Sequence, residues 1–419
     1  MNESTHSTKI HPEIVRVGSM QLLFFAAYGT MIPFFSIYYR IILRTPEGGP
    51  DYGAIGVVLF LQSISGIVSP PLAGFLADKF KIQNRLVTVC AAMVAAAGLL
   101  IGIPGMRLFG IPLSLPIPVI LLLTGTGAVV NGLFVRPIIP LIDTETLKTL
   151  HRLEGNTDGY GRIRLFGSLG FVVTCTTFGW VLERVGILTV NILGYSGMFL
   201  LLAVVASFGF KAEIRPVSIP WKLLKDDHRY RKFLLFILVL AIGMSGSFMF
   251  TGVFMEDSGL GFFAMGISFS LAALVEIPVL FNARRLLMRL GNRGLIRIGV
   301  SLMILKLVAF VVLAESGPLA FILAQGLFQG FGFSMMFLGF INFMDRQAHE
   351  DLKATYQNLY HLTFALGGSV GNLAASYVIG ISSSRLMMAL AAIVMTVSLF
   401  YFLVQVYGHP PGRAVRPAE

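Results

Sequence analysis

Five ionisable residues stand inside or at the edge of long apolar runs: Arg136, Asp143, Arg164, Glu276 and Lys306. A charge in hydrocarbon costs about 2.5–3.5 kcal/mol on insertion scales, so such a group faces a partner or a wet cavity. Their types define the chemistry open to them. The planar fork of an Arg suits a carboxylate or phosphate. Glu276, two residues before Pro278, is the only acid deep inside an apolar run, and a lone carboxyl there is the group to take up and release a proton or bind substrate. A structural ion pair is its other reading. Arg136 and Asp143 are seven residues apart, so on a continuous helix both project to one face. Pro137 loosens the backbone beside Arg136, which gives that residue a second reading as a partner for freed carbonyls. Asp143 lies close enough to the end of its run to be an acid in water.

The elements that must hold these charges are membrane helices. The 419 residues are 55% hydrophobic and 13% charged, with 45 Gly and 35 Phe and a mean hydropathy of +0.79. A soluble domain carries about 25% charged residues. A bilayer core of about 30 Å needs roughly 20 apolar residues per helix. The apolar runs fall at 17–43, 53–77, 85–105, 113–142, 163–186 and 187–209, then at 233–255, 262–283, 294–314, 318–342, 355–380 and 386–407. The sequence therefore predicts an all-α membrane protein of twelve spans. Soluble enzymes, nucleic-acid binders and disulfide scaffolds are excluded, and Cys90 and Cys175 read as small buried hydrophobes.

With the N-terminus in the cytoplasm, 25 of the 32 Lys and Arg residues fall on cytoplasmic segments, as the positive-inside rule requires. The net charge of +11 is then topology, not a nucleic-acid surface. The domain reading is a cytoplasmic N-terminus (1–16), a six-helix bundle (17–209), a cytoplasmic linker (210–232), a second six-helix bundle (233–407) and a cytoplasmic tail (408–419). The first run is too long, and lacks an obvious cleavage site, to be a signal peptide. The halves echo each other weakly: Gly56 precedes Pro70 and Pro71 much as Gly266 precedes Pro278. Parallel six-span halves around a central cavity are a transporter plan. The glycines at 125, 127, 132, 326, 330, 332, 367, 368 and 371 read as packing glycines, and His361 as a hydrogen-bonded structural residue, with a proton relay as its other reading.

Two strings carry a family resemblance. Residues 74–85, GFLADKFKIQNR, resemble the loop motif of the major facilitator superfamily, with Lys81 in place of its Gly and Ile82-Gln83 in place of its basic pair. The resemblance implies a conformational latch built on Gly74, Asp78, Lys79 and Arg85. Residues 160–171, YGRIRLFGSLGF, resemble the opening of the fifth span in the lactose-permease branch and the related aromatic-acid and nucleoside proton symporters. There the second Arg holds substrate hydroxyls and an aromatic seven positions later stacks on the sugar. Those roles fall on Arg164 and Phe171, with Ser168 between them. Pro140-Leu-Ile-Asp143 resembles the string that supplies the branch's substrate-binding carboxylate, implying an Asp143–Arg164 pair. Lys306 stands where the branch has an Arg beside its proton site, implying a partner for Glu276. Phe328 and Phe331 occupy the positions of that branch's tenth-span proton relay, so coupling would rest on Glu276, with Asp143 as a second candidate.

The functional expectation is a monomeric, multi-pass secondary transporter of the plasma membrane, or of the inner membrane in a Gram-negative cell. It would import a small polar organic solute together with protons, with no cofactor beyond the proton gradient. Arg164, Asp143, Arg136, Ser168 and Phe171 would bind substrate. The alternative is an exporter or organic-anion exchanger of the same fold. The fifth span lacks the Gly-Pro string of drug antiporters. A membrane receptor or scaffold would need an appended domain or long loops.

Overall fold

The computed structural model describes residues 11–80, 82–108, 111–154, 159–208, 227–348 and 353–406. The tail 408–419, most of the 1–16 and 210–232 segments and the Asp78 side chain lie outside the described residues. Twelve helical stretches among the described residues are long and apolar enough to cross a membrane. The first six are Pro12–Met31, Tyr52–Ala77, Gln83–Gly105, Ile117–Leu153, Tyr160–Val185 and Thr189–Ser207. The second six are His228–Met249, Phe262–Phe281, Ala283–Val312, Pro318–Gln347, Tyr356–Ile381 and Ser384–Val406. Below they are numbered in chain order. The end of the bundle where the first span starts is called the terminal end, and the opposite end the loop end.

The turns form where the local chemistry favours them. His11 accepts the Glu13 amide and Pro12 occupies the first turn of span 1, where a missing N–H is harmless. Span 5 stops at Gly186, whose φ of +67° is the left-handed cap that glycine supplies without strain. Ser383 caps span 12 by accepting the Leu386 amide. The basic stretch that opens span 9 is a separate helical turn, set off by Gly291 at φ +60°. A two-residue antiparallel ladder pairs Arg107–Leu108 with Ile111–Pro112 in the loop after span 3.

Several spans are broken near their middles, which simple hydropathy does not reveal. Span 1 ends at Met31 and its helix resumes at Phe35–Ile42, across Pro33. Span 2 breaks between Ser65 and Ser69. Span 4 breaks between Val135 and Ile138, at Arg136-Pro137. Span 7 pauses at Phe250 before Thr251–Asp257, and span 10 carries a π-helical stretch at Ala324–Gln329. Non-helical backbone at membrane depth is tolerated where protein or water satisfies it, so the breaks should surround a cavity.

Spans 1–6 and 7–12 form two bundles, joined along spans 2 and 11, 5 and 8, and 1 and 7. Glycine permits the closest crossings. A Cβ at Gly132 would collide with the Gln62 carbonyl, and one at Gly252 with the Pro33 carbonyl. A Cβ at Gly266 would sit 2.5 Å from the Cys175 carbonyl oxygen.

A central cavity and a charged cluster beside it

Four of these breaks, in spans 1, 2, 4 and 7, border a cavity, and the π-helical stretch of span 10 does not. Its volume is about 300 Å³, at the small end of ligand sites. The first half contributes Tyr28, Phe35, Gln62, Asn131, Arg136 and Tyr195, and the second half Ser245, Phe248, Phe364 and Asn372. The lining amides each donate to a protein group, while the Gln62 and Asn372 amide oxygens have no partner among the described residues. Gln62 donates to Asn131 Oδ1 at 3.0 Å, Asn131 donates to the Tyr195 hydroxyl at 2.8 Å, and Asn372 donates to Ser63 Oγ at 3.1 Å across the two halves.

Arg136 is the charged member of that lining. It sits on the break in span 4, where its stem passes Gly66, at which a Cβ would come within 2.6 Å of Arg136 Cγ. The guanidinium is exposed. Tyr28 and His361 both lie within its electrostatic reach.

The other charges gather elsewhere. Asp143 accepts a hydrogen bond from Gln21 Nε2 at 2.7 Å. Tyr160 lies within electrostatic reach of both Asp143 and Arg164. Arg164 stacks on Phe25, 3.9 Å from its ring centroid, and interacts electrostatically with Glu276 of the second half. This cluster of Gln21, Phe25, Asp143, Tyr160, Arg164 and Glu276 is nearer the terminal end, since Arg164 is in the second turn of span 5.

The structure thus changes several of the pairings read from sequence. Arg136 and Asp143 serve different places: Arg136, at the break in span 4, lines the cavity, while Asp143 lies beyond the break and is bonded to Gln21. Asp143 and Arg164 approach through Tyr160 and are not among the direct ion pairs. Lys306 is not the partner of Glu276: it is buried, 1% exposed, and donates to Gln329 Oε1 at 2.8 Å, with the Phe310 ring centroid 5.6 Å away. Phe171 packs against the hydrophobic core and neither it nor Ser168 lines the cavity. In the latch string, Lys79 lies 5.4 Å from the Phe75 and Phe80 ring centroids, Arg85 is exposed, and Gly74 faces open space.

Sequence reading missed Gln21, Tyr160, Gln62, Asn131 and Asn372. A signal existed for three of them: Gln62, Asn131 and Asn372 are isolated amides in apolar runs, close to Gly66, Gly132 and Gly371. Among the described residues, no group of three or more His, Cys, Asp or Glu could hold a metal ion.

Two bundles of six spans, closing on a cavity lined by both and bordered by broken helices, define a major facilitator transporter. Residues 14–390 match the MFS_1 like family, and the chain belongs to it. It is 25% identical over 357 residues to the maltose permease of Geobacillus stearothermophilus, covering 83% of this chain and 82% of that one. It is 24% identical over 374 residues to the uncharacterized transporter YwbF of Bacillus subtilis (strain 168), covering 88% and 86%. Among solved structures the fold resembles the nucleoside transporter NupG, with TM-score 0.74, 16% identity, and 96% and 100% of the two chains covered. The chain is accordingly a multi-pass membrane transporter of a small molecule, and not an enzyme.

Proposed function

We propose that this transporter is a symporter that brings a small polar organic solute into the cytoplasm together with a proton. The halves 17–209 and 233–407 are the moving bodies, and they expose the central cavity alternately to the two sides. Placing 25 of 32 basic residues on the terminal end makes that end cytoplasmic, in the plasma membrane or the inner membrane of a Gram-negative cell. The transporter acts as a monomer.

What supports the coupling is the placement of Glu276 of span 8 within electrostatic reach of Arg164 of span 5, without a direct ion pair between them. A carboxyl on one half faces a cation on the other, so gaining a proton there changes the force between the bodies that must part. With Glu276 neutral, Arg164 is left to Tyr160 and Asp143. Arg164 and Asp143 then form the cytoplasmic border of the path, with Ser168 one turn further along span 5. The Lys306–Gln329 pair is a second buried polar site in the C-terminal half, available to stabilise one arrangement of spans 9 and 10. The string around Gly74, Asp78, Lys79 and Arg85 is assigned to limiting motion between spans 2 and 3.

Replacing Glu276 with Gln in reconstituted vesicles tests this. Uphill uptake driven by a pH gradient should be lost, while equilibrium exchange across the membrane persists. Undiminished accumulation in that variant overturns the coupling role. The excess of Arg136, Arg164 and Lys306 over Asp143 and Glu276 favours a second reading, an organic-anion exchanger. Stimulation by anion on the opposite side, with indifference to pH, would establish that reading instead.

A further inference from the structure

Arg136 is left without an acid at the place where substrate must sit. It lines the central cavity, no Asp or Glu lines that cavity with it, and it has neither ion pair nor hydrogen bond among the described residues. Its placement is built: span 4 breaks at Arg136-Pro137, and Gly66 leaves room for the side-chain stem. A guanidinium in a low-dielectric cleft attracts anions and repels cations, and its fork matches a carboxylate with two parallel hydrogen bonds. The rest of the wall combines an apolar face with two acceptors unpaired among the described residues, the amide oxygens of Gln62 and Asn372. Phe35, Phe248, Phe364, Met31 and Met249 are apolar, and the Gln62, Asn131 and Asn372 amides already donate to protein groups.

We infer that the transported solute is a small organic monocarboxylate with an apolar body, its carboxylate held by Arg136 and its body by the aromatic wall. This inference rests on the transporter reading above and deepens it. It also separates this chain from sugar or nucleoside carriers, whose uncharged substrates could accept hydrogen bonds from Arg136 but would leave its charge uncompensated. One proton moving with one monoanion carries no net charge, so uptake of such a solute would not respond to membrane voltage.

The test is thermal unfolding of the purified, detergent-solubilised full chain with paired probes. Benzoate and hexanoate are compared with benzamide and hexanamide at equal concentration, and with maltose and uridine. A ligand that binds the folded form raises apparent stability by mass action. At least one carboxylate should raise the unfolding temperature, its amide should not, and the shift should vanish in Arg136→Gln. In Arg136→Lys, which keeps the charge but loses the fork, affinity should fall about tenfold or more, about 1.4 kcal/mol. Equal shifts from acid and amide, a shift that survives Arg136→Gln, no shift from either carboxylate, or stabilisation by maltose or uridine alone would overturn the assignment. Binding is read without any gradient, so it can fail while the Glu276 coupling stands, and the coupling can fail while carboxylate binding stands.

Discussion

The two ends of the bundle hold the halves together in different ways. At the loop end the contacts are close and numerous in kind. Arg40, beyond span 1, reaches Glu256 Oε2 at 2.8 Å and Asp257 Oδ1 at 2.5 Å, both beyond span 7. Ser376 donates to the Tyr52 carbonyl at 2.5 Å, and Glu183 accepts the Phe263 amide at 3.2 Å. Midway, Thr176 and Ser270 hydroxyls lie 2.8 Å apart. Nearer the terminal end, Glu276 and Arg164 attract one another across the same pair of spans. The strong pairs there, Arg16 with Glu145 at 2.5 Å and Arg152 with Glu13, stay within the first half. The sealed end is stitched by short contacts, whereas the terminal-end cluster is set up to change with charge. A transporter needs both, because a seal made only of packing would not respond to the proton or the solute.

That comparison can be broken most strongly at Gly252. Leu at this position would drive a side chain into the Pro33 carbonyl, and overpacking of this kind costs about 1–3 kcal/mol. Taken from the sealed form alone, this shifts the balance about 5- to 150-fold. A cavity reporter, Ser245→Cys, would then react faster with a membrane-impermeant thiol reagent added at the loop end. The native Cys90 and Cys175 are buried and give little background. Unchanged labelling would mean that the spans 1 and 7 crossing does not hold the seal.

A smaller effect in the same assay follows from Arg40→Gln, which removes both carboxylate contacts. The groups are partly exposed, at 21%, 29% and 37%, so each pair contributes no more than about 1 kcal/mol. Labelling should rise by about fivefold, and Arg40→Lys should restore part of the seal.

The smallest expected effect is its pH dependence. Burial lifts the Glu256 carboxyl above its ordinary range; Arg40 opposes this and Asp257 adds to it. A carboxyl that binds its proton more tightly in the sealed form than in the parted one makes acid favour the sealed form. Labelling of Ser245→Cys in the otherwise native chain, divided by the rate of a free thiol at the same pH because only the thiolate reacts, should therefore slow as pH falls from neutral through the Glu256 range. Glu256→Gln should remain slow and lose that dependence. Faster labelling in acid would reverse the sign and place the titration elsewhere.

Much of the architecture could be read without coordinates. Twelve spans follow from apolar runs of bilayer length, and the turns at Gly186 and Ser383 follow from glycine geometry and a hydroxyl cap. The charged residues of interest were also visible, because lone charges stand out in a chain with 13% charged residues. Their partners were not visible. Gln21 reaches Asp143 across 122 residues, and Lys306 takes Gln329 instead of Glu276. The amides and aromatic residues of the cavity wall look like any others in an apolar run until the halves meet.

Sequence by itself determined the solvent, the number of spans and the short list of charges that lipid would not tolerate alone. It could do so because hydrophobic run length and charge are local properties. Tertiary structure decided which of those charges meet, and that Arg136 alone of them faces the cavity. The physical reason is that the cavity exists only between two bundles that are distant along the chain, so which side chains meet there is not a local property.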